Sequence, residues 1–520
     1  MSNDCPTLLN PLAQSQQAAS EILPSLNYTN QDFASLKTRL ALLVEQRFAN
    51  EFTDFFESDL GVMLIESYAF CTDMLSFKMD QQGNERYIDT VAELANAFRI
   101  CKAVGFQPTP PIASTALFSV TINTLLQTDL VIPSGYPVTA TSNVGNAGQI
   151  TYQLYPADID NNPIFDQDIL ISAGSFTNTS IIGVSGRTFT DTHTSTGAVN
   201  QTYTLLQFPV LFDSVTVIVN GTVWTEVDFF TDSKPRFEYR VEYDSKWNAT
   251  VIFGNGQAGY IPSQGSQIQI TYRVGGGTSG NVVTGAFNFQ AGFLVPGFNI
   301  TVPVTFINYT TGNNGYDGDT IDDIRRKLPA FVKVQNRAVT GEDYKLNAEL
   351  FASPYNGQVG KATAVLRNHG CAGNIIDLFI LSRDGANGLA QASDQLKVDL
   401  SAHMDDIKML TDYLCIKDGV VVFVDTVIDL HVPKFYRKFA AQIQAQAQQI
   451  LASFYQLGNW EYGKKLKSND LLQALSVVKQ VTSIDITFIT NNQNQPLDVV
   501  VPKYYEIIRP DNTNIVLTFE

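Results

Sequence analysis

The stretch FFESDLGVMLIESYAFCTDMLSFKMDQQGNERY, residues 55 to 87, predicts a long helix with an unusually apolar surface. Apolar residues recur at steps of three and four, the spacing of one helix face. This stripe comprises Leu60, Met63, Leu64, Tyr68, Cys71, Met74 and Leu75. Glu66, Asp73 and Asp80 recur every seven residues and therefore share one line along the helix. We expect the Met74 and Leu75 face to be buried and the charged line to meet solvent or a basic partner.

Two further helices are predicted on either side of this one. The segment NQDFASLKTRLALLVEQRF is amphipathic, with Asn30 as the expected N-cap. After Gly83 and Asn84, TVAE at residues 90 to 93 matches a capping box, and the next helix should end at Gly105. The three segments predict a small helical domain wrapped around the central helix.

The composition indicates a globular protein and disfavours several function classes. The chain has 520 residues and a net charge of -17, and an acidic chain of this kind is a poor partner for nucleic acid. No apolar run approaches the roughly 20 residues that cross a bilayer, so we expect no membrane segment. The five cysteines follow no repeated spacing, which favours a reducing compartment over a disulfide framework.

The middle of the chain, from Ile112 to about Asn308, predicts β structure. Short β-branched runs such as ALFSVTI, SVTVIVNGTVW and SQIQITYRVGGG alternate with Gly, Asn, Pro and Ser. This pattern is typical of a β-sandwich or of several small sheets. VNGT at residues 219 to 222 is a candidate hairpin turn.

From Tyr316 onward, helical and strand patterns mix. A helix should begin at Thr340, followed by two strands, a helix, a strand, two helices and a strand. The tail predicts two further strands around a turn at Pro510, Asp511 and Asn512. The fold class expected for the chain is α+β and multidomain, with an N-terminal helical domain, a β-rich middle and a mixed C-terminal region.

Three glycine-containing motifs resemble nucleotide sites but lack the required context. GNGQAG at residues 254 to 259 and GGGTSG at residues 275 to 280 have dinucleotide-site spacing, yet neither is followed by a predicted helix. GNWEYGKK at residues 458 to 465 has phosphate-loop spacing, but Lys465 stands where a Ser or Thr is needed. We interpret these glycines as turn residues, and no cofactor is predicted.

The sequence contains no convincing metal or catalytic set. NNGYDGDTIDDI, residues 313 to 324, is similar to a calcium loop but has Ile324 at the position of the bidentate Glu. His369 and Cys371 lack a second pair at zinc-site spacing. The prediction is therefore a protein that is not an enzyme, without catalytic, cofactor or metal residues.

Several longer segments, taken together, resemble the baseplate wedge proteins of contractile-tailed bacteriophages, the J-like baseplate family. The N-terminal part of the resemblance is YTNQDFASLKTRL, FTDFFESDLGVMLIESYAFCTDMLSFKMDQQGNERYIDTV and ANAFRICKAVGFQP. VIFGNGQAGYIPSQGSQIQITYRVGGGTSGNV, NRAVTGEDYKLNAELF and GNWEYGKKLKSNDLLQALSVVKQVTSIDI follow in the same order. The resemblance covers about Tyr28 to about Ile489 and departs from the family around NNGYDGDT.

The resemblance implies a structural role. Such proteins join a smaller partner and further copies of themselves into wedges, and six wedges form a ring around the hub. The ring links tube, sheath and contraction trigger, so hub and sheath-initiating proteins are further expected partners. The location implied is the tail baseplate of a virion assembled in the host cytoplasm, without nucleic acid or membrane contact. Phage-derived injection machines and tailocins have related rings.

On this interpretation we expect four domains, with the partner interface in the first. They are a helical wedge-core domain at 1–110, a β-rich domain at 111–308, an α+β domain at 309–430, and a C-terminal α+β domain with a terminal hairpin at 431–520. The expected interface residues are Phe55, Phe56, Glu66, Phe70, Asp73, Phe77 and Asp80. Two alternatives remain, a nucleotide-dependent enzyme and a glycan-binding tail spike.

Overall fold

The computed structural model describes residues 32–48, 59–141, 149–230, 235–295, 300–368, 374–385, 388–490 and 493–519. These residues form an α+β multidomain fold with an N-terminal helical region, which confirms the predicted fold class. They divide into two compact units, one of residues 32–107 with 320–325 and one of residues 108–319 with 326–519. The four domain boundaries expected from the sequence stay a prediction.

The first unit is built from three helices. They are α1 (Phe33–Arg47), α2 (Leu60–Asn84) and α3 (Leu94–Val104). α1 is capped by Asp32 in a capping box with Ser35, so the predicted cap at Asn30, outside the described residues, is wrong. α3 begins after Glu93 without a side-chain cap, so the predicted TVAE capping box is wrong. α3 does end at Gly105 in the left-handed conformation, as the sequence predicted.

The β-rich middle contains sixteen strands among the described residues. They are β1 (Thr115–Ile122), β2 (Leu130–Ile132), β3 (Tyr136–Thr141), β4 (Gln149–Pro156), β5 (Ile169–Ile171), β6 (Thr177–Ser185), β7 (Arg187–Thr194), β8 (Thr202–Thr204), β9 (Thr216–Val219), β10 (Thr222–Val223), β11 (Thr225–Glu226), β12 (Glu238–Tyr243), β13 (Ala249–Phe253), β14 (Gln267–Val274), β15 (Asn288–Leu294) and β16 (Thr301–Asn308).

Fourteen of these strands form two larger structures, and β2 and β5 pair in a separate two-stranded sheet. One is a six-stranded sheet in the order β15-β16-β1-β6-β4-β3, whose two edges approach each other where Tyr136 and Phe293 pack with ring centroids 4.9 Å apart. The other is a pair of four-stranded sheets, β10-β9-β14-β7 and β11-β12-β13-β8, around a shared core. β9 and β10 are joined by Asn220 and Gly221, both with positive φ, which confirms the predicted hairpin turn.

The C-terminal half mixes helices and strands. The helices are α4 (Ile321–Val334), α5 (Gly341–Leu350), α6 (Asp394–Ile407), α7 (Ala440–Phe454) and α8 (Ser468–Leu475). The strands are β17 (Ala352–Ser353), β18 (Gly357–Asn368), β19 (Asn374–Asp384), β20 (Gly388–Ala390), β21 (Asp412–Asp418), β22 (Val420–Val432), β23 (Leu466–Lys467), β24 (Ser483–Thr490), β25 (Gln493–Leu497), β26 (Val499–Val500) and β27 (Glu506–Phe519).

Two sheets organise this half. In the first, in the order β17-β18-β19-β20, β21 pairs in parallel with β19, and α5 and α6 contribute side chains to the same core as β18 and β19. In the second, in the order β25-β24-β22-β27, α7 and α8 pack against the core face.

The predicted terminal hairpin is wrong. Residues 506 to 519 form one strand that runs parallel to β22, with a register shift where Pro510, Asp511 and Asn512 stand. Pro510 cannot donate a backbone hydrogen bond, and here the irregularity is absorbed as a bulge instead of a chain reversal.

Candidate protein-interaction surface

Helix α2 packs against α1, and only three of its side chains are buried. Val62, Ala69 and Ser76 are its buried residues, and their seven-residue spacing places them on one side of the helix. Leu36 is the buried residue of α1. The Lys37 ammonium lies 2.6 Å from the Glu66 carboxylate, and both side chains are about one-third exposed. Small side chains let two helices approach closely, so little of the α2 surface is needed for this contact.

Most of the remaining surface of α2 is apolar and exposed, and it is here called the α2 apolar face. Its large exposed side chains are Leu60, Met63, Leu64, Tyr68, Phe70, Met74, Leu75, Phe77 and Met79. At a rise of 1.5 Å per residue these side chains extend along ~29 Å of helix. Exposed Cys71 lies among them. An exposed apolar patch of this extent marks a binding surface more often than ordinary protein surface.

The orientation of α2 is the reverse of that expected from the sequence. Met74 is 53% exposed and Leu75 is 65% exposed, whereas Glu66, Asp73 and Asp80 are half-buried. The expected burial of the Met74 and Leu75 face and the helical domain wrapped around α2 are therefore wrong. Burial usually follows the most apolar face of a helix, but the buried residues of α2 are Val62, Ala69 and Ser76.

The predicted interface residues separate into three groups. Phe70 and Phe77 lie on the α2 apolar face. Glu66, Asp73 and Asp80 are half-buried and lie three or four residues from Phe70 and Phe77, so the acidic line borders these two aromatic side chains. Phe55 and Phe56 lie outside the described residues.

By length and composition, α2 is also able to cross a membrane. Over an 18-residue window its mean hydropathy reaches 1.3, and 17% of that window is buried. The expectation that no segment approaches bilayer length is corrected by this finding. The two acidic residues Glu66 and Asp73 interrupt the second and fourth turns, and Lys78 and Asp80 follow in the second half of the helix.

The glycine motifs form turns and close backbone contacts. GNGQAG leads through a loop into β14, and GGGTSG ends in a three-residue 3-10 helix. Gly276 has a φ of +83°, a backbone conformation that residues with a side chain rarely adopt. At Gly254, an added Cβ would collide with the backbone of Ala258 and Gly259. Neither motif presents the helix N-terminus at which a pyrophosphate would bind.

The segment GNWEYGKK lies in the packed connection between α7 and α8. α7 precedes it, and α8 begins at Ser468, beyond the motif. The Lys464 ammonium donates to the Asn459 carbonyl at 2.6 Å and lies 5.3 Å from the centre of the Trp460 ring. The lysine that would contact phosphate in a phosphate loop is therefore held by internal contacts.

The calcium-like segment uses its carboxylates internally. Asp317 accepts hydrogen bonds from the backbone and hydroxyl of Thr278, at 2.8 and 2.6 Å. Asp319 and Lys327 form a buried ion pair at 2.7 Å. Within the described ranges, no group of three or more His, Cys, Asp or Glu residues could hold a metal ion. His369 and Cys371 lie outside those ranges.

A partly buried ion cluster in the C-terminal half was missed by the sequence reasoning. Glu461 receives the ammonium groups of Lys361 at 2.6 Å and Lys345 at 2.9 Å. Burial alone would raise the pKa of the Glu461 carboxyl, but the two lysines outweigh it and lower the pKa to about 2. No local pattern could have revealed the cluster, because about 100 residues separate Lys361 from Glu461. The cluster joins α5, β18 and the segment after α7, so its role is structural.

Comparison with known proteins gives two similar solved structures. A chain of the anti-feeding prophage baseplate is 12% identical, with 91% of this chain and 90% of that chain covered and a TM-score of 0.33. A chain of the type VI secretion system TssK-TssF-TssG baseplate subcomplex is 9% identical, with 69% and 96% covered and a TM-score of 0.29. No family model and no curated protein matches. At these TM-scores neither similarity supports a statement about the function of this chain.

Proposed function

We propose that this chain is a structural protein of a contractile-tail baseplate and that it assembles into wedges through the α2 apolar face. The single observation that carries the proposal is that face, nine large apolar side chains exposed along one helix. The sequence resemblance to baseplate wedge proteins agrees with it. The partners proposed are a smaller wedge protein, further copies of this chain, and hub and sheath-initiating proteins.

The composition of the face suits a permanent protein contact. Phe70, Phe77 and Tyr68 supply aromatic anchors, and Met63 and Met74 supply adaptable side chains. A helix that presents such a stripe can lie in an apolar groove or join a helix bundle. Permanent interfaces commonly bury about 2,000 Å² or more, which requires partner surface along most of α2.

Membrane insertion is the second candidate, and the apolar length of α2 favours it. The distribution of charge argues against it. Glu66, Asp73 and Asp80 lie on one line, and each carboxylate in the hydrocarbon would be costly unless neutralised. Glu66 already pairs with Lys37, which fits a contact inside the protein. We therefore propose a protein partner for this face.

The proposal is tested by co-expressing the chain with the products of neighbouring tail genes and measuring the mass of the purified complex. We expect a defined complex that holds a smaller protein and more than one copy of this chain. The chain purified alone should self-associate. In parallel, the chain alone is mixed with vesicles of phosphatidylcholine and phosphatidylglycerol and floated on a density gradient. A strict monomer in every mixture would contradict the proposal, and so would flotation with vesicles without capture of any tail protein.

A further inference from the structure

Strand β27 forms a long open edge of the C-terminal sheet. It runs from Glu506 to Phe519 and pairs in parallel with β22 along its whole length, from Val420 opposite Glu506 to Val432 opposite Phe519. In the described part of the chain no other strand pairs with its outer side. The outer backbone N–H and C=O groups of an edge strand remain available to another strand.

The second half of β27 lacks the features that usually protect such an edge. Residues 513 to 519, TNIVLTF, contain no charge, no proline and no glycine. Two other long edge strands carry charges, Arg187 and Asp191 on β7 and Asp412, Lys417 and Asp418 on β21, and the edge strands β8, β10 and β17 have only two or three residues. The edges of the six-stranded sheet approach each other at Tyr136 and Phe293. The β27 edge is therefore unusually open to pairing.

We propose that the β27 edge binds the same edge of a second copy of this chain, antiparallel and with the two-fold axis at Val516. In that register Val516 faces Val516, Asn514 faces Thr518, Ile515 faces Leu517 and Thr513 faces Phe519. Residues directly opposite each other point to the same side of a sheet. Apolar Ile515 and Leu517, which pack towards the core below the sheet, are thus matched with each other.

Self-complementarity argues for a second copy over an unrelated strand. A two-fold interface requires that one surface match itself, and TNIVLTF does so without opposing like charges. The nearby carboxylates of Asp425, Asp429 and Asp485 belong to the inner strands β22 and β24. Asp429 already accepts a hydrogen bond from the Thr518 hydroxyl at 2.8 Å. The joined sheets would have eight strands, and this interface is separate from the α2 apolar face.

Disulfide cross-linking of the full chain tests the register. Under mild oxidation V516C should give a dimer whose cross-link maps by mass spectrometry to position 516 on both chains. N514C mixed with T518C should cross-link much more than either variant alone. Cross-links through α2 or through native cysteines cannot produce these two results. Absence of the 516-to-516 cross-link, or equal cross-linking of N514C alone and in the mixture, would overturn the proposal.

Sedimentation equilibrium tests the affinity. V516K places two ammonium groups opposite each other at the axis, and V131K makes the same change at a strand residue of matched exposure, 43% against 42%. Both variants carry F70D and F77D, so that association through the α2 apolar face does not contribute. V516K should weaken dimerisation by about fivefold or more relative to V131K, because like charges opposite each other destabilise strand pairs. Equal dimerisation of two variants with matched melting curves would refute the proposed edge contact.

Discussion

Substituting the same charged residue on the two sides of α2 separates a core face from a binding face. Met74→Asp changes a side chain that is 53% exposed, and Ala69→Asp changes one that is fully buried. We expect Met74→Asp to leave the first unit folded and Ala69→Asp to destabilise it strongly. Both variants add one carboxylate to the same helix, so charge and composition are matched.

The magnitudes follow from burial. Fully burying a methionine contributes roughly 1.5 to 3 kcal/mol, and only about half of Met74 is shielded, so its loss costs roughly 0.7 to 1.4 kcal/mol. The poorer helix propensity of Asp adds about 0.5 kcal/mol. Ala69 is fully buried, so a carboxylate there would lose its water, and an unpaired buried charge costs several kcal/mol.

Hydrogen exchange of the α1 and α2 amides, followed by mass spectrometry, reports the stability of this unit within the full chain. Met74→Asp should retain nearly wild-type protection in both helices, whereas Ala69→Asp should lose it. If Met74→Asp loses as much protection as Ala69→Asp, the assigned orientation of α2 is wrong.

Three further outcomes are expected. Glu461→Gln should lower the free energy of unfolding at pH 7 by about 2 kcal/mol in urea titrations, because Lys361, 1% exposed, loses a counter-charge at a partly screened site. Because the pKa of Glu461 is lowered to about 2, this stabilisation is present above about pH 4.5 and is lost as the pH falls towards 2. The difference in free energy of unfolding between wild type and Glu461→Gln should therefore shrink over that window, and a constant difference would contradict the ion cluster. Gly254→Ala should lower the free energy of unfolding by about 1 kcal/mol or more in thermal melts, whereas Gly458→Ala, with open space around it, should lower it much less. Equal losses would contradict the claim that close backbone packing requires glycine at position 254. Calorimetry with ATP should detect no binding, since internal contacts hold Lys464, and a measurable affinity would revive the nucleotide interpretation.

Local signals in the sequence predicted many element positions correctly. Thr340 caps α5 in a capping box, Gly105 ends α3, and Asn220 with Gly221 closes the β9 and β10 hairpin. Each of these depends on a few adjacent residues with a defined conformational preference. The α+β class followed from the change between period-two and helical patterns along the chain.

The features that the sequence did not reveal depend on distant contacts. The apolar stripe of α2 was assigned to a core, although only the position of α1 decides which side is buried. The strand pairing of β27 with β22 joins residues more than 80 positions apart, and the local turn signal at Pro510 predicted a reversal instead. Of the residues predicted for the interface, Phe70 and Phe77 are exposed, whereas the neighbouring Glu66, Asp73 and Asp80 are half-buried.

The most direct test of the central claim is a matched pair of surface substitutions in the co-expressed assembly. Phe77→Asp alters the α2 apolar face, where Phe77 is 66% exposed, and Phe435→Asp alters an exposed phenylalanine elsewhere, at 82%. Native mass spectrometry of the complex purified with the neighbouring tail proteins measures partner capture by each variant. We predict that Phe435→Asp assembles like wild type and that Phe77→Asp, still folded, is recovered without its smaller partner. Recovery of the complete complex with Phe77→Asp would contradict the claim that the α2 apolar face is the assembly surface.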